Sequence, residues 1–363
     1  MATNVYIHIP FCKSKCKYCS FVSFTNENKI SDYISDLIKE IDFYYKKEEL
    51  KTLYFGGGTP SLVPTYLIKK VIDKFNLSPD CEITFEVNPD DANFNYLKSL
   101  LEIGINRISM GSQSFDDKIL QLIGRRHKSI DIVNAVKTAQ EVGFKNISLD
   151  LIYGLPEQNI NILKKDLEII TSLNIQHIST YGLKIEEESY FGKNPPVNLP
   201  DDDLQADMYL LINNYLEEKG YKRYEISNFA LDGFESKHNL NYWNNSEYYG
   251  FGVSAHGYCD NIRYSNFCTL EKYSDNPTKH DKEQVLTNLE KLEEEIFLGF
   301  RKAEGVNVEK INNKFNIDFD KKYKKIIAKY TPNFIENTKK GYKLTLEGTL
   351  LSNNILSEFI ESV

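Results

Sequence analysis

Residues 5–21 read VYIHIPFCKSKCKYCSF, an apolar run followed at once by three cysteines in the spacing C-x3-C-x2-C. The run over residues 5–10 has the β-branched and aromatic composition of a strand. A short loop with this spacing can present three thiolates, those of Cys12, Cys16 and Cys19, to one face of a cubane [4Fe–4S] cluster. Electron-transfer clusters take four cysteines, so three would leave one iron open to a small molecule. The stretch therefore predicts a first strand that ends in a cluster-binding loop.

The competing interpretation of this loop is a zinc site, or three incidental thiols. Zinc sites usually take four ligands and show paired C-x2-C halves. His8 could be a fourth ligand, but the matching second pair is missing. Lys13, Lys15 and Lys17 would favour thiolates and offset the charge of a cluster. We therefore favour the cluster. The other cysteines have no ligand spacing and are predicted to be packing thiols: Cys81, Cys259 and Cys268.

Strand-like and helix-like segments alternate beyond this loop. Strands are predicted at residues 5–10, 50–55, 82–87, 107–110, 147–153 and 177–183. Helices are predicted at residues 30–45, 66–75, 96–103, 130–142, 163–173 and 203–219. This alternation predicts an α/β fold with a parallel sheet and helices outside it. Six units favour a (βα)6 partial TIM barrel, in which chemistry lies at the carboxyl ends of the strands.

The pattern changes after about residue 220. Residues 221–288 are rich in Tyr, Asn and Gly and are predicted to form a connecting region. Two or three helices and a hairpin turn at Lys339–Tyr342 follow. They predict a smaller α+β, winged-helix-like domain. The expected division is therefore residues 1–220, 221–288 and 289–363.

The composition limits the class of protein. The chain has 363 residues, a net charge of −8 and 41% hydrophobic residues, as in ordinary globular proteins. The negative charge argues against a nucleic-acid partner, and no apolar run approaches the roughly 20 residues of a membrane span. The N-terminus has no basic segment followed by an apolar stretch, so no signal peptide is predicted and a cytoplasmic location is expected.

Glycines and polar side chains occur at the predicted strand ends. Residues 56–60, GGGTP, follow the second strand, and glycines let backbone groups approach a ligand. Glu86 is a carboxylate flanked by apolar residues, which suggests an ammonium or ribose partner. Gln113 and Asp150 are similar polar groups in strands. The alternatives are a tight turn for the glycines and a hydrogen bond to a neighbouring loop for each polar side chain.

C-x3-C-x2-C after a first strand resembles the signature of the radical-SAM superfamily, and the string YIHIPFC at residues 6–12 resembles one branch of it. That branch is the oxygen-independent coproporphyrinogen III oxidase family, which includes true oxidases and HemW-type haem chaperones. The resemblance covers nearly the whole chain and implies a [4Fe–4S] cluster and S-adenosylmethionine (SAM). It implies SAM contacts at Tyr6, Tyr18, Gly57, Gly58, Thr59, Glu86, Gln113, Asp150 and either Arg125 or Arg126.

Three features resemble the chaperones rather than the oxidases. Phe21 stands where the oxidases usually carry a further cysteine, and Cys12 is too near Met1 for their N-terminal extension. Residues 238–243, HNLNYW, match the HNxxYW string of the chaperones, which is associated with haem binding.

A histidine can ligate haem iron, and large aromatic rings can cover a porphyrin face. The resemblance therefore implies a haem site at His238, Tyr242 and Trp243. The alternative is a loop histidine capped by Asn, with both aromatics in a domain interface. His256 and Tyr258 are alternative iron ligands.

The expected function is a haem chaperone that carries haem as cargo and delivers it to haem-requiring proteins. Transient contact with membrane-bound acceptors is compatible with this function. The first alternative is oxidative decarboxylation of coproporphyrinogen III to protoporphyrinogen IX. The second is another anaerobic tetrapyrrole-processing enzyme, such as a haem-opening methyltransferase. No catalytic residue is assigned.

Anaerobically reconstituted protein should hold about four irons with the spectrum of a cubane. Substituting Cys12, Cys16 or Cys19 by Ala should abolish the cluster, whereas Cys259→Ala and Cys268→Ala should retain it. Iron analysis and absorption spectra test this. Tight zinc binding without iron retention after reconstitution would refute the cluster.

Overall fold

The computed structural model describes residues 1–360. The strands are β1 (Asn4–Ile9), β2 (Glu49–Gly57), β3 (Asn76–Val87), β4 (Arg107–Gln113), β5 (Ile147–Tyr153), β6 (His177–Gly182), β7 (Lys222–Arg223), β8 (Asn228–Ala230), β9 (Tyr249–Phe251), β10 (His256–Cys259), β11 (Ile262–Ser265), β12 (Lys282–Val285), β13 (Val306–Asn307), β14 (Ile335–Asn337) and β15 (Gly341–Leu344).

The helices are α1 (Ile30–Tyr44), α2 (Thr65–Ile72), α3 (Phe94–Glu102), α4 (Asp117–Leu122), α5 (Ser129–Val142), α6 (Ile160–Ser172), α7 (Tyr190–Lys193), α8 (Asp202–Glu218), α9 (Lys237–Trp243), α10 (Leu270–Asp275), α11 (Asn288–Arg301), α12 (Val308–Phe315), α13 (Phe319–Tyr330), α14 (Leu346–Leu350) and α15 (Ser352–Ser357). Within residues 1–360, no helix combines the length and apolar character that crossing a bilayer requires.

A nine-stranded sheet forms the large part of the molecule, in the order β7-β8-β6-β5-β4-β3-β2-β1-β9. Strands β1 to β6 are parallel and adjacent in chain order, which confirms the predicted (βα)6 arrangement. Strand β9 adds in parallel to the free edge of β1, while β8 and β7 extend the other edge in antiparallel pairs. The sequence prediction did not include these edge strands.

Alternation along the strands separates an apolar outer face from a polar inner face. In β2, Leu53 and Phe55 are buried in the core, while Tyr54 between them lines an interior cavity. In β3, Phe85 is likewise in the core and the next residue, Glu86, lines the cavity. Successive side chains of a strand point to opposite faces, so one sequence pattern provides both the core and the cavity wall.

The second half contains two smaller antiparallel sheets. Strands β10, β11 and β12 form one, within the stretch that was predicted only as a connecting region. Helix α11, strand β13, helices α12 and α13, and the hairpin β14–β15 follow in winged-helix order, with sheet order β13-β15-β14. The predicted hairpin and the smaller α+β unit are confirmed. The domain boundaries at residues 220 and 288 remain predictions.

The three cysteines outside the loop differ in exposure. Cys81 is buried and Cys259 is half-buried, as expected of packing thiols. Cys268 is exposed, so its prediction as a packing thiol is wrong. It lies in the segment that joins β11 to α10, and such connections run over the surface.

Glu40 on α1 fixes the segments around β9 to the barrel. Its carboxylate accepts hydrogen bonds from the Gly252 backbone N–H at 2.8 Å, the Asn266 amide at 2.6 Å and the Tyr273 hydroxyl at 2.5 Å. Burial raises the pKa of Glu40 to about 7, against the lowering effect of these donors.

Glu40→Ala should lower the free energy of unfolding by about 3 kcal/mol or more, because each buried donor left without an acceptor costs about 1–3 kcal/mol. Chemical denaturation measures this. Asp32→Ala, an exposed carboxylate on the same helix, should change stability by about 0.5 kcal/mol or less. Equal effects of the two substitutions would contradict the role assigned to Glu40.

Candidate cofactor cavity

A cavity of about 430 Å³ opens at the carboxyl ends of the parallel strands. Eleven of the residues predicted to bind the cluster or SAM line it: Cys12, Cys16, Tyr18, Cys19, Gly57, Gly58, Thr59, Glu86, Gln113, Arg125 and Asp150. Four predicted site residues are outside its lining: Tyr6, His238, Tyr242 and Trp243. The structure therefore gathers the predicted cluster and SAM residues around one space, with Tyr6 as the exception.

Two backbone hydrogen bonds hold the cysteine loop, one at Cys12 and one between Cys16 and Cys19. The N–H of Cys12 donates to the Phe24 carbonyl at 2.9 Å, and the N–H of Lys17 donates to the Ile123 carbonyl at 3.0 Å. Within residues 1–360, no three His, Cys, Asp or Glu side chains are grouped as ligands of a single metal ion.

Two of the loop cysteines have a hydrogen-bond donor next to their sulfur. The Thr59 hydroxyl donates to Cys12 Sγ at 3.4 Å, and Arg125 Nη1 donates to Cys16 Sγ at 3.5 Å. A cubane binds each thiolate at a different iron, and thiolates need nearby positive charge or donors. This donor set therefore fits a cluster.

The glycines hold the end of β2 against the cysteine loop. The N–H of Gly58 donates to the Ile9 carbonyl at 2.8 Å. A Cβ at Gly58 would lie 2.7 Å from the Phe11 carbonyl oxygen, and Gly57 adopts φ +111°. The N–H of Gly57 donates to Glu86 Oε2 at 3.2 Å. Glycine is thus required here by close backbone packing, and neither N–H is a free donor in this structure.

Two carboxylates lie within the cavity without a salt bridge to a described lysine or arginine. Burial raises the pKa of Glu86 to about 7, although the Tyr54 hydroxyl, 2.8 Å from Oε1, stabilises the ionised form. Burial also raises the pKa of Asp150, which accepts from the Ser109 hydroxyl at 3.5 Å. Buried carboxylates of this kind fit a ligand that brings an ammonium group or hydroxyl donors.

Gln113 and Arg125 add unpartnered polar atoms to the same wall. Gln113 ends β4 with φ +67°, and its Oε1 has no hydrogen-bond partner. Arg125 donates to Asn88 Oδ1 at 2.9 Å and to the Gly111 carbonyl at 2.6 Å, yet its Nε has none. Arg126 instead pairs with Asp90 at 2.7 Å. Both arginines line the cavity, and Arg125 is the one whose hydrogen bond to a loop cysteine is described.

The two predicted tyrosines differ in position. Tyr18 lines the cavity, and burial raises the pKa of its hydroxyl. Tyr6 is on β1, where its hydroxyl is 3.0 Å from His8 Nδ1. His8 Nε2 is 3.0 Å from the Val22 carbonyl, so both ring nitrogens of His8 have partners.

The HNxxYW string forms helix α9 and not a loop. His238 is buried, with Nδ1 2.8 Å from the Thr52 hydroxyl and Nε2 2.8 Å from the Tyr242 hydroxyl. Burial lowers its pKa to about 3. Trp243 is half-buried, and His256 is exposed. The histidine of the string thus has both nitrogens bonded inside the protein, and its role in haem binding remains a prediction.

Sequence analysis missed several residues of the cavity wall. These are Tyr54, Arg107, Ser109, Ser179 and Tyr181. All are inward-facing strand positions. The alternation of apolar and polar residues along β2, β4 and β6 is the signal that could have identified them.

Three cysteines at the end of β1, beside a polar cavity inside a parallel partial barrel, define the chain as a radical SAM protein. Residues 6–170 match the radical SAM superfamily, and residues 286–351 match the HemN C-terminal domain. Membership of this superfamily implies a [4Fe–4S] cluster and SAM as cofactors.

Relatives that align over nearly the whole chain identify its family within this superfamily. The chain is 38% identical over 368 aligned positions to the protein named heme chaperone HemW of Lactococcus lactis subsp. lactis, with 98% of this chain and 97% of the relative covered. It is 37% identical over 375 positions to that of Bacillus subtilis, with 98% and 99% covered. The chain belongs to the HemW family.

A solved structure shares the fold. Coproporphyrinogen III oxidase (HemN) from Escherichia coli superposes with a TM-score of 0.88 at 22% sequence identity. The match covers 100% of this chain and 91% of the oxidase.

If the ionised carboxylate of Glu86 binds SAM, SAM affinity of the cluster-loaded protein should rise with pH through about 7, because burial raises the pKa of Glu86 to about 7. If the carboxylate form alone binds, affinity should rise about tenfold between pH 6 and 8. Equilibrium dialysis at constant iron content measures this.

Glu86→Gln should weaken binding and flatten this pH dependence. Asp166→Asn is the matched control, since burial also raises the pKa of Asp166 to about 7 but Asp166 lies outside the cavity lining. A pH dependence that survives Glu86→Gln would exclude Glu86 as its source.

Proposed function

We propose that this chain is a haem chaperone, which binds haem and delivers it to haem-requiring acceptor proteins in the cytoplasm. The observation that carries the proposal is the likeness to proteins named heme chaperone HemW, at 38% identity over 98% of the chain. Phe21, in place of the further cysteine expected of the oxidases, supports the same assignment.

We further propose that Cys12, Cys16 and Cys19 hold the cluster. When bound, a cluster with one open iron supplies a coordination site and an electron for SAM. Arg125 Nη1 donates to the sulfur of Cys16, and the Thr59 hydroxyl donates to the sulfur of Cys12. These donors would offset negative charge on the sulfurs of a bound cluster.

The proposed SAM contacts fall into two groups. Glu86, Asp150 and Gln113 are acceptors for the ammonium and hydroxyl groups of the cofactor, and each presents a carboxylate or carbonyl oxygen in the cavity wall. The remaining proposed contacts shape the cavity: Tyr6, Tyr18, Gly57, Gly58, Thr59 and Arg125. Tyr6 has the weakest support, because it is outside the lining.

The proposed haem site is helix α9, with His238, Tyr242 and Trp243. For His238 to ligate iron, one of its ring nitrogens must leave its present partner, either Thr52 or Tyr242. Haem binding through this residue therefore requires a local rearrangement. His256 and Tyr258 are the alternative ligands, and the exposed His256 would need no such rearrangement.

Oxidative decarboxylation of coproporphyrinogen III has weaker support. The chain is 22% identical in sequence to the oxidase, and a similarity at this level shows a shared fold alone. A shared fold does not transfer an activity.

Stoichiometric haem should produce a Soret band that is weakened in the triple variant His238→Ala, Tyr242→Ala, Trp243→Ala. Three changes are combined because aromatic contacts of roughly 0.5–1.5 kcal/mol each could hide the loss of one. His256→Ala alone tests the alternative ligand and should leave the band intact if helix α9 holds the haem. An unaltered band in the triple variant would place the haem site elsewhere.

The same reduced, cluster-loaded protein should not convert coproporphyrinogen III in the presence of SAM and reductant. Product analysis over many turnovers decides this. Slow cleavage of SAM without porphyrin product is expected from electron leakage and leaves the assignment intact. Accumulation of protoporphyrinogen IX would overturn the chaperone assignment.

A further inference from the structure

We propose that His238 of helix α9 and Tyr54 are positioning residues for Glu86, the carboxylate proposed to bind SAM. Haem binding at the HNxxYW string and SAM binding in the cavity are therefore coupled. The identity of the two ligands rests on the proposed function. The series of contacts from His238 to Glu86 does not rest on the proposed function, because all of these contacts are within the chain.

The link runs through three side chains in sequence. The ring of His238 stacks on that of Tyr54, with centroids 4.9 Å apart and planes inclined by 27°. The Tyr54 hydroxyl then donates to Glu86 Oε1 at 2.8 Å. The HNxxYW histidine is therefore one side chain away from a carboxylate of the cavity wall.

Three neighbouring strands hold helix α9 in this position. Glu82 on β3 accepts from the backbone N–H groups of Lys237 at 3.1 Å and His238 at 3.0 Å. Thr52 on β2 bonds His238 Nδ1 at 2.8 Å. Asn4 on β1 donates to Asn241 Oδ1 at 2.6 Å. The helix thus has a fixed position under the barrel, and its first turn is tied to the strand that carries Glu86.

Tyr54 is one of the groups that favour the ionised form of Glu86, together with the Gly57 backbone N–H and Arg107. The Tyr54 hydroxyl donates to the carboxylate and so opposes the rise in pKa that burial causes. The other titratable or charged groups that act on Glu86, or on which it acts, are Tyr6, Arg107, Asp150, Tyr181 and Tyr242. In the described structure Tyr54 is the side chain that donates a hydrogen bond to Glu86, so its removal has a directed effect on the carboxylate.

Coupling between haem binding and SAM binding follows because both ring nitrogens of His238 are hydrogen-bonded within the protein. A haem iron ligated by this ring must displace Thr52 or Tyr242, and the ring then moves relative to Tyr54. Any change that haem makes in SAM affinity must appear equally in the effect of SAM on haem affinity. Because the bonded arrangement is the one that supports Glu86, haem should weaken SAM binding.

The positioning role is tested with Tyr54→Phe, which keeps the stacked ring and removes one oxygen. Cluster-loaded protein without haem should bind SAM about fivefold more weakly near pH 7, because Glu86 without this donor has a smaller ionised fraction, and a tenfold change in its acid dissociation constant reduces that fraction about fivefold. The pH at which SAM affinity is half-maximal should move upward, because Glu86 loses a donor that favours its ionised form. Iron content and circular dichroism verify that the fold is intact.

A double-variant comparison shows whether Tyr54 acts through Glu86. In a Glu86→Gln background, Tyr54→Phe should have little further effect on SAM affinity. Tyr221→Phe is the matched control, since this buried tyrosine donates to the Ile175 carbonyl and lies outside the cavity lining. Unchanged affinity in Tyr54→Phe, an equal loss in Tyr221→Phe, or a full effect in the Glu86→Gln background would each overturn the positioning role.

The coupling is tested by adding haem. SAM affinity of the unsubstituted protein should fall roughly fivefold at saturating haem, and haem affinity should fall by the same factor at saturating SAM. In His238→Ala, haem should no longer change SAM affinity. Haem binding with no effect on SAM would overturn the coupling. Absence of haem binding would overturn the proposed function and the coupling together, while the haem-free comparison would still decide the role of Tyr54.

Discussion

The period-two alternation of side chains along the parallel strands is the constraint on which this structure depends. It places Leu53, Phe55 and Phe85 under the helices and leaves Tyr54 and Glu86 facing inward. A barrel interior is commonly filled by branched apolar residues. Here the inward positions carry carboxylates, a guanidinium and hydroxyls instead. The outer layer alone must then supply most of the apolar burial of this unit, and the interior is free to bind ligands.

A polar interior has an electrostatic cost. Burial raises the pKa of both Glu86 and Asp150, and the nearby Arg107 only partly offsets it. Arg107 is itself almost completely buried, and its Nε has no hydrogen-bond partner. Such groups destabilise the empty protein and gain partners when a charged ligand enters. The cavity is therefore arranged for occupancy, and ligand binding should contribute to the stability of the fold as well as to function.

The sequence predicted what depends on local pattern. Strands β1 to β6 and their helices follow from apolar periodicity over single segments, and Ile147–Tyr153 agrees to the residue. The cysteine loop and the cavity residues were identified by spacing, by position after strands and by family resemblance. Strand β9 was missed because three residues, Tyr249–Phe251, become a strand only by pairing with β1. The hydrogen bonding of His238 could not be predicted either, since its partner Thr52 is 186 positions away in sequence.

The pairing of β9 with β1 also has a consequence for synthesis. Strand β1 precedes the other described elements in chain order, yet its neighbour on one side, which pairs Val5 with Tyr249, comes from far along the chain. At about 5–20 residues per second, the ribosome needs roughly ten seconds or more to produce that neighbour. Until then one edge of β1 on the nascent chain has unpaired backbone groups, which are open to pairing with other strands. The cysteine loop, which directly follows β1, is therefore synthesised well before the strand that precedes it has both of its neighbours.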